Sequence, residues 1–283
     1  MHIELIAAVR NEEACLPRFV SHVTALALPP SVRLSVLFVE DGSTDGTVAI
    51  LRQLAADHAS VSFISLVKGF GQCRALVFGM QCSEADAVIM MDVDDGHPVH
   101  VIPEMIARFM DGAEIVQAVR AALHSRKAYR RIGSRLFNLS MRVVTGEDID
   151  RQNVYFRLVS RRIKNRIIRN RRWHCFLRLN LSGRHAPPAE RVRFVAGDRQ
   201  QGRSKYGFLR LLAFSVNGLL SLIPVARFGA LLVAGAVVCV LLRQYSHGIP
   251  SVAVALAGGS LLGRYVALCN DRTVDRMQVK ERS

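Results

Sequence analysis

Two aspartates one residue apart, Asp92-Val93-Asp94, directly follow the apolar run Ala87-Val88-Ile89-Met90-Met91. Carboxylates at that spacing on a strand end can share a divalent cation. Hard oxygen ligands suit Mg2+ or Mn2+, and such an ion binds a diphosphate like that of a nucleotide sugar. A second acidic pair, Glu40-Asp41, ends the run Val36-Leu37-Phe38-Val39 and opens Gly42-Ser43-Thr44-Asp45-Gly46-Thr47. There the carboxylates can accept hydrogen bonds from a nucleobase or ribose, Gly42 permits a tight turn, and Ser43 or Thr44 can cap the next helix. A third polar loop, Arg10-Asn11-Glu12-Glu13, follows Ala8-Val9. Its Asn11 suits either a helix N-cap with acids in the first turn or a ligand contact.

The elements that must position these loops are readable from hydrophobic period. From Ile3 to about Val119, short β-branched runs alternate with helix-period stretches, the pattern of a parallel sheet wrapped by helices. Strands are expected at Ile3 to Val9, Leu34 to Glu40, Val61 to Leu66, Ala87 to Asp92 and Ile115 to Val119. Helices are expected at Glu13 to Ala25, Thr44 to His58, Gln72 to Cys82 and Val101 to Met110. In open sheets of this kind ligands gather at the carboxyl ends of the strands, where all three polar loops fall.

The chain has 283 residues, half of them hydrophobic, enough for one substantial domain and a smaller appended unit. A net charge of +15 calls for an anionic partner: nucleic acid, a phosphorylated substrate or an anionic lipid surface. Arginines crowd residues 120–172, as a solvated or membrane-facing basic face or as phosphate ligands. Sparse aromatic interleaving and no recognised nucleic-acid motif argue against RNA or DNA. The six cysteines are scattered, with neither a CxxC pair nor histidines at zinc spacing, and read as reduced packing residues in a cytoplasmic unit. Met1-His2-Ile3-Glu4 runs straight into a strand, without the pattern of a cleaved signal peptide.

The last third is different. Phe208 to Ile223 suits a helix lying in the membrane interface or one buried in a core. Beyond Pro224, the stretches Val225 to Leu242 and Ile249 to Leu268 each approach the ~20 apolar residues needed to cross a hydrocarbon core. Only Arg243 is basic in the link between them. Arg272, Arg276, Lys280 and Arg282 follow, so both ends of this hairpin are expected on the cytoplasmic side.

The loops in this order, followed by a basic segment and an apolar hairpin, resemble glycosyltransferase family 2, in its dolichyl- or polyprenyl-phosphate branch. The family's P-x-Y-N-E-E motif is matched by Asn11, Glu12 and Glu13, with Ala8 and Arg10 at the proline and tyrosine positions. D-D-G-S-T-D-G-T is kept from Asp41 to Thr47, with Glu40 for the first aspartate. D-A-D-L-Q-H-P is matched by Asp92, Asp94, His97 and Pro98, with Asp95 and Gly96 for leucine and glutamine. Phe70, Gly71, Ala75 and Gly79 match F-G-x-x-x-A-x-x-x-G, and Arg199 to Tyr206 resembles R-x-x-G-x-S-K-Y.

The resemblance implies an α/β fold of GT-A type over residues 1–206, interfacial helices at 207–224, two transmembrane helices within 225–268 and a basic cytoplasmic tail at 269–283. Asp92 and Asp94 would hold Mg2+ or Mn2+. Arg199 and Lys205 would face the donor diphosphate or the lipid phosphate. Asn11, Glu12 and Asp41, with Arg120, Arg130 and Arg131, would bind the nucleotide-sugar donor, since guanidinium groups pair with phosphate oxygens in bidentate fashion. It further implies a polyprenyl phosphate acceptor, a homo-oligomer, commonly a tetramer, and a bacterial inner membrane with the catalytic domain cytoplasmic. One departure stands out. Relatives carry an aspartate, proposed as a base, just before F-R-L, where this chain has Tyr155 before Phe156-Arg157-Leu158. That leaves an inactive, sugar-nucleotide-binding relative as the alternative.

Overall fold

A computed structural model describes residues 1–94, 97–120, 153–169, 188–195 and 277–283. Its centre is the run β1 (His2–Val9), α1 (Leu16–Thr24), β2 (Arg33–Glu40), α2 (Thr47–Asp57), β3 (Val61–Leu66), α3 (Gln72–Cys82), β4 (Ala87–Met90), α4 (Ile102–Met110) and β5 (Ile115–Arg120). These are the strands and helices that hydrophobic period predicts: β1, β2 and β5 gain one residue each, while β4, α1, α2 and α4 are shorter than expected. Among the described residues four further elements follow: β6 (Asn153–Ser160), α5 (Arg161–Arg169), β7 (Glu190–Phe194) and β8 (Val279–Arg282).

All eight strands form one sheet in the order β7-β5-β6-β4-β1-β2-β3-β8. Strands β4, β1, β2 and β3 run parallel, with Leu5 opposite Val36 on one side and Ile89 on the other. The sheet is mainly parallel, as the GT-A likeness implies, with two antiparallel strands. Strand β6 inserts antiparallel between β4 and β5, and β8 pairs antiparallel with β3. The end of the basic tail thus forms one edge of the sheet, with β7 at the other. It is tied down by Arg52, whose guanidinium pairs with both carboxylate oxygens of Glu281.

Alternation along the strands feeds two apolar layers. Ile3, Leu5, Ala7, Val36, Phe38, Ala87 and Ile89 face α1, α2 and α4, whose Leu16, Phe19, Val20, Leu51, Ile102 and Met105 are buried there. Ile6, Leu37, Val39, Val88 and Met90 face α3 and α5, meeting Ala75, Leu76, Met80, Ile163 and Ile167. Gly79 permits the closest approach on this side. A Cβ there would lie 2.6 Å from Cγ2 of Ile6 and 2.9 Å from Cγ2 of Val39, so a bare glycine lets α3 lie flat on β1 and β2. That packing gives the F-G-x-x-x-A-x-x-x-G spacing a physical cause.

The basic segment also hides structure. Arg157 is 2% exposed in the middle of β6, and its Nε donates to Oε1 of Gln117 on β5. Gln117 in turn donates to the carbonyls of Ala118 (2.9 Å) and Phe156 (3.2 Å), tying the two antiparallel strands together. On α5, Ile163, Lys164 and Ile167 face inward. Nζ of Lys164 donates to the carbonyl of Ser83, just past the end of α3, and burial pushes its pKa down. Helix α5 is therefore half core, where the arginine density suggested a basic face or phosphate ligands. Cys15, Cys73 and Cys82 are thiols, as expected. The interfacial and transmembrane stretches lie outside the described residues. Among the described residues no helix is long and apolar enough to cross a membrane.

Candidate functional site

The carboxyl ends of β1, β2, β4 and β5 share one rim of the sheet, and they deliver Arg10, Asp41, Asp92 and Arg120 to it. The loops there are stitched to one another before any ligand is considered. Asn11 adopts the left-handed conformation with φ 55°, and its N–H donates to Oγ of Ser43 at 3.0 Å. Its Oδ1 accepts from the Thr44 N–H at 2.8 Å. The Glu12 N–H donates to Oγ1 of Thr47 at 3.0 Å, and Oε2 of Glu13 accepts from the Gly46 N–H at 2.6 Å.

These bonds correct two expectations about caps. Asn11 does not cap α1, which starts at Leu16 after a turn in which the Glu12 carbonyl accepts from Cys15 and Leu16. Ser43 and Thr44 do not cap α2, which starts at Thr47 behind Gly46. In each case the polar side chain serves the neighbouring loop, because the parallel pairing of β1 and β2 brings the two loops side by side.

The acidic pair is buried and employed. Glu40 is 2% exposed and Asp41 4%. Glu40 accepts from the Ser43 N–H with one oxygen and from Oγ of Ser65 with the other, at 2.6 Å. Oδ1 of Asp41 accepts from the Phe70 N–H at 2.6 Å and Oδ2 from the Gly71 N–H at 2.9 Å. Burial pushes the Asp41 carboxyl above its usual value, while those two donors and the Arg10 charge pull the other way. Both carboxylates thus hold this chain's own backbone, a role that the acid types alone did not announce. Gly42 (φ 72°) and Gly69 make the contact possible, since a Cβ on Gly42 would lie 2.5 Å from the Gly69 nitrogen.

The loop held by Asp41 runs on into α3, and the first residue of that helix reaches the aspartate pair. The Gln72 side-chain amide donates to Oδ1 of Asp92. The Asp92 N–H donates to Nδ1 of His97 at 2.8 Å, and the His97 N–H to the Asp94 carbonyl at 3.2 Å. His97 is 5% exposed and its ring lies 5.5 Å from that of Phe156 on β6. Oxygen or nitrogen atoms of Asp92, Asp94 and His97 all fall within 4.8 Å of one another, and both aspartates are half-buried. Two carboxylates so placed are a fitting donor set for Mg2+ or Mn2+. Sequence reading found Asp92 and Asp94 but gave Gln72 no role. Its position directly after the Phe70-Gly71 motif was the available signal.

Tyr155, the residue before Phe156-Arg157-Leu158, turns toward α3. Its hydroxyl lies 3.2 Å from Sγ of Cys73, the residue after Gln72. Of the expected phosphate-binding residues, Arg120 ends β5, with its backbone opposite Phe194. Arg130, Arg131, Arg199 and Lys205 lie outside the described residues.

The likeness to known proteins follows this geometry. The model for "Glycosyl transferase family 2" matches residues 5–176. An undecaprenyl-phosphate 4-deoxy-4-formamido-L-arabinose transferase of Pseudomonas aeruginosa is 30% identical over 74% of this chain, and a prophage bactoprenol glucosyl transferase homolog of Escherichia coli K12 is 28% identical over 78%. The matched region spans 62% of the former and 72% of the latter. Among solved structures, glucosyl-3-phosphoglycerate synthase from Mycobacterium tuberculosis, in complex with Mn2+, UDP-glucose and phosphoglyceric acid, shares the fold. Its TM-score is 0.53 at 18% identity, over 79% of this chain and 80% of that one. With the family model matching well over half of its length, the chain belongs to glycosyl transferase family 2.

Proposed function

We propose that this chain transfers a sugar from a nucleotide-sugar donor, UDP-linked by preference, to polyprenyl phosphate at the cytoplasmic face of a bacterial inner membrane. The observation that carries the proposal is the joint placement of Asp92 and Asp94 at the carboxyl rim, beside the loop that Asp41 holds. The named relatives act on undecaprenyl phosphate and bactoprenol, which gives the acceptor class.

In the proposed reaction an oxygen of the lipid phosphate attacks the anomeric carbon as the bond from that carbon to the nucleoside diphosphate breaks, with inversion. A phosphomonoester has a second pKa of about 6, so the nucleophile is already largely anionic at neutral pH and needs no base. Tyr155 in place of an aspartate is compatible with that chemistry. Asp92 and Asp94 would hold Mg2+ or Mn2+, which supplies positive charge to the departing diphosphate. Asn11, Glu12 and Asp41 shape the nucleoside side of the rim. Arg120, Arg130, Arg131, Arg199 and Lys205 provide cationic partners for the phosphates.

The proposed organisation is a catalytic unit over 1–206, interfacial helices at 207–224 and two spans within 225–268, in a homo-oligomer of the tetrameric kind. Residues 188–195 and 277–283 belong to the same sheet, so any membrane crossings between them must be even in number. A two-span hairpin meets that requirement. It keeps the acceptor phosphate within reach of the rim.

The test is direct. Purified full-length protein with undecaprenyl phosphate, Mn2+ and UDP-, GDP- or dTDP-sugars should release nucleoside diphosphate and form a lipid-linked sugar. Asp92→Asn and Asp94→Asn should each slow this on the order of 10²-fold or more. Full activity in both variants would overturn the reading. A second reading, an inactive donor-binding relative, is favoured by Tyr155 and its turn toward Cys73. It wins if every donor stabilises the protein and none is consumed.

A further inference from the structure

Three residues converge as potential metal ligands, yet their hydrogen bonds divide them unequally. The Asp92 N–H points at Nδ1 of His97 from 2.8 Å. An N–H can only donate, so Nδ1 must accept, and its lone pair is engaged. In a neutral imidazole the ring proton then sits on Nε2, which leaves no lone pair in the ring plane for a cation at either nitrogen. His97 is held in this orientation by burial and by the Phe156 ring. On the other side, the Gln72 amide engages Oδ1 of Asp92. That bond fixes the rotation of the carboxylate.

We propose that Gln72 and His97 brace Asp92 from its side chain and its backbone, and that His97 stands beside the cation without ligating it. The inference rests on the metal role proposed for Asp92 and Asp94. It assigns Gln72 and His97 as positioning residues: Gln72 acts on the ion through the Asp92 side chain, and His97 through the Asp92 N–H and the Asp94 carbonyl. It also gives the start of α3 a part in the site, because the two residues leading into the helix hold Asp41 through the Phe70 and Gly71 N–H groups and its first residue, Gln72, holds Asp92. The nucleoside side and the metal side of the rim are thus set by three consecutive residues.

The test uses full-length protein with Mn2+ and UDP or GDP, read by electron paramagnetic resonance and not by turnover. Pulsed spectra of the wild type should lack the strong nitrogen coupling of a directly bound imidazole. Asn carries an acceptor at the place of Nδ1, whereas Gln carries its polar atoms at the place of Nε2. His97→Asn should therefore keep Mn2+ affinity within about threefold, while His97→Gln and Gln72→Leu should each weaken it by about 10- to 100-fold, the range for partners that orient a ligand. A strong nitrogen coupling that disappears in His97→Asn overturns the brace alone and leaves Asp92 and Asp94 as ligands. If the wild type binds no Mn2+ with either nucleotide, the metal reading falls and the brace falls with it. The wild-type spectrum decides whether His97 ligates the ion even where a variant fails to fold, and unchanged Mn2+ affinity in folded Gln72→Leu overturns the brace.

Discussion

The Gly71 N–H lies 2.9 Å from Oδ2 of Asp41, joining the end of β2 to the start of α3. Gly71 reaches this position with φ 96° and ψ 145°, a conformation that residues with a Cβ rarely adopt. The bond also sets where Gln72 emerges, and through it Asp92.

Gly71→Ala isolates that backbone requirement. A Cβ at Gly71 would meet nothing within 4 Å, so the penalty is conformational and not steric. Strain of about 1–3 kcal/mol is expected, lowering the thermal midpoint in detergent. Donor affinity should fall with it, because relief of the strain moves the N–H away from Asp41. An unchanged midpoint would show that the loop tolerates a side chain in this conformation.

Gly79→Ala should act from a distance of two turns along the same helix. The added methyl would lie under 3 Å from the branched side chains of Ile6 and Val39, neither of which can swing away. Overpacking of this kind costs about 1–3 kcal/mol. The helix can relieve it only by lifting from the sheet, so Mn2+ affinity should weaken along with stability. Loss of stability with metal binding intact would separate α3 packing from the site.

Which of these relationships could be read from sequence follows from their range. Strands such as Val36 to Val39 and helices such as Gln72 to Cys82 announce themselves by apolar period, because each buries one face or both. Strand β6 does not. Arg157 sits in its centre, and its burial depends on Gln117 from a strand 40 residues away. The carboxylates Asp92 and Asp94 were legible because a strand end followed by D-x-D suggests its chemistry locally. The braces were not, since Gln72 meets Asp92 only after β1 pairs with β4 and α3 packs on β1 and β2. Glu40 and Asp41 were legible as acids at a strand end, but their N–H and hydroxyl partners were not, because Ser65, Phe70 and Gly71 come from other segments.

Stability should respond to pH through Asp41. Burial raises its carboxyl above the usual 3.8. A group whose pKa is higher in the folded state contributes most when protonated, below the unfolded value. That contribution declines as pH rises through the folded value. Asp41→Asn removes the titration. The thermal midpoint advantage of wild type over Asp41→Asn should therefore shrink between pH 4 and pH 7. An advantage that grows over that interval would mean the backbone donors and Arg10 outweigh burial.

The partnership of Gln117 and Arg157 makes a prediction about the core. Gln117→Leu fits the apolar surroundings by volume but strips the acceptor from Nε of Arg157, which is almost fully buried. Loss of a hydrogen bond to a buried charged group costs about 1.5–3 kcal/mol. Chemical denaturation should show that loss. A neutral outcome would show that other partners of Arg157 satisfy it.

Glu40 supplies the most counterintuitive case, because restoring the family's residue there should harm this protein. The family motif begins with aspartate where this chain has Glu40. Here the longer side chain spans from the Ser43 N–H on its own loop to Oγ of Ser65 on β3, at 2.6 Å. Glu40→Asp shortens the reach by one methylene and cannot serve both. One donor is left without its acceptor in a site that is 2% exposed at Glu40 and 1% at Ser65. The expected loss is about 1–3 kcal/mol. Ser65→Ala removes the partner that the shorter acid abandons, so its effect should be smaller in the Glu40→Asp background than in wild type. A double-mutant cycle measures that coupling. Strictly additive effects would mean that Glu40 and Ser65 act independently, and that the glutamate answers to some other constraint.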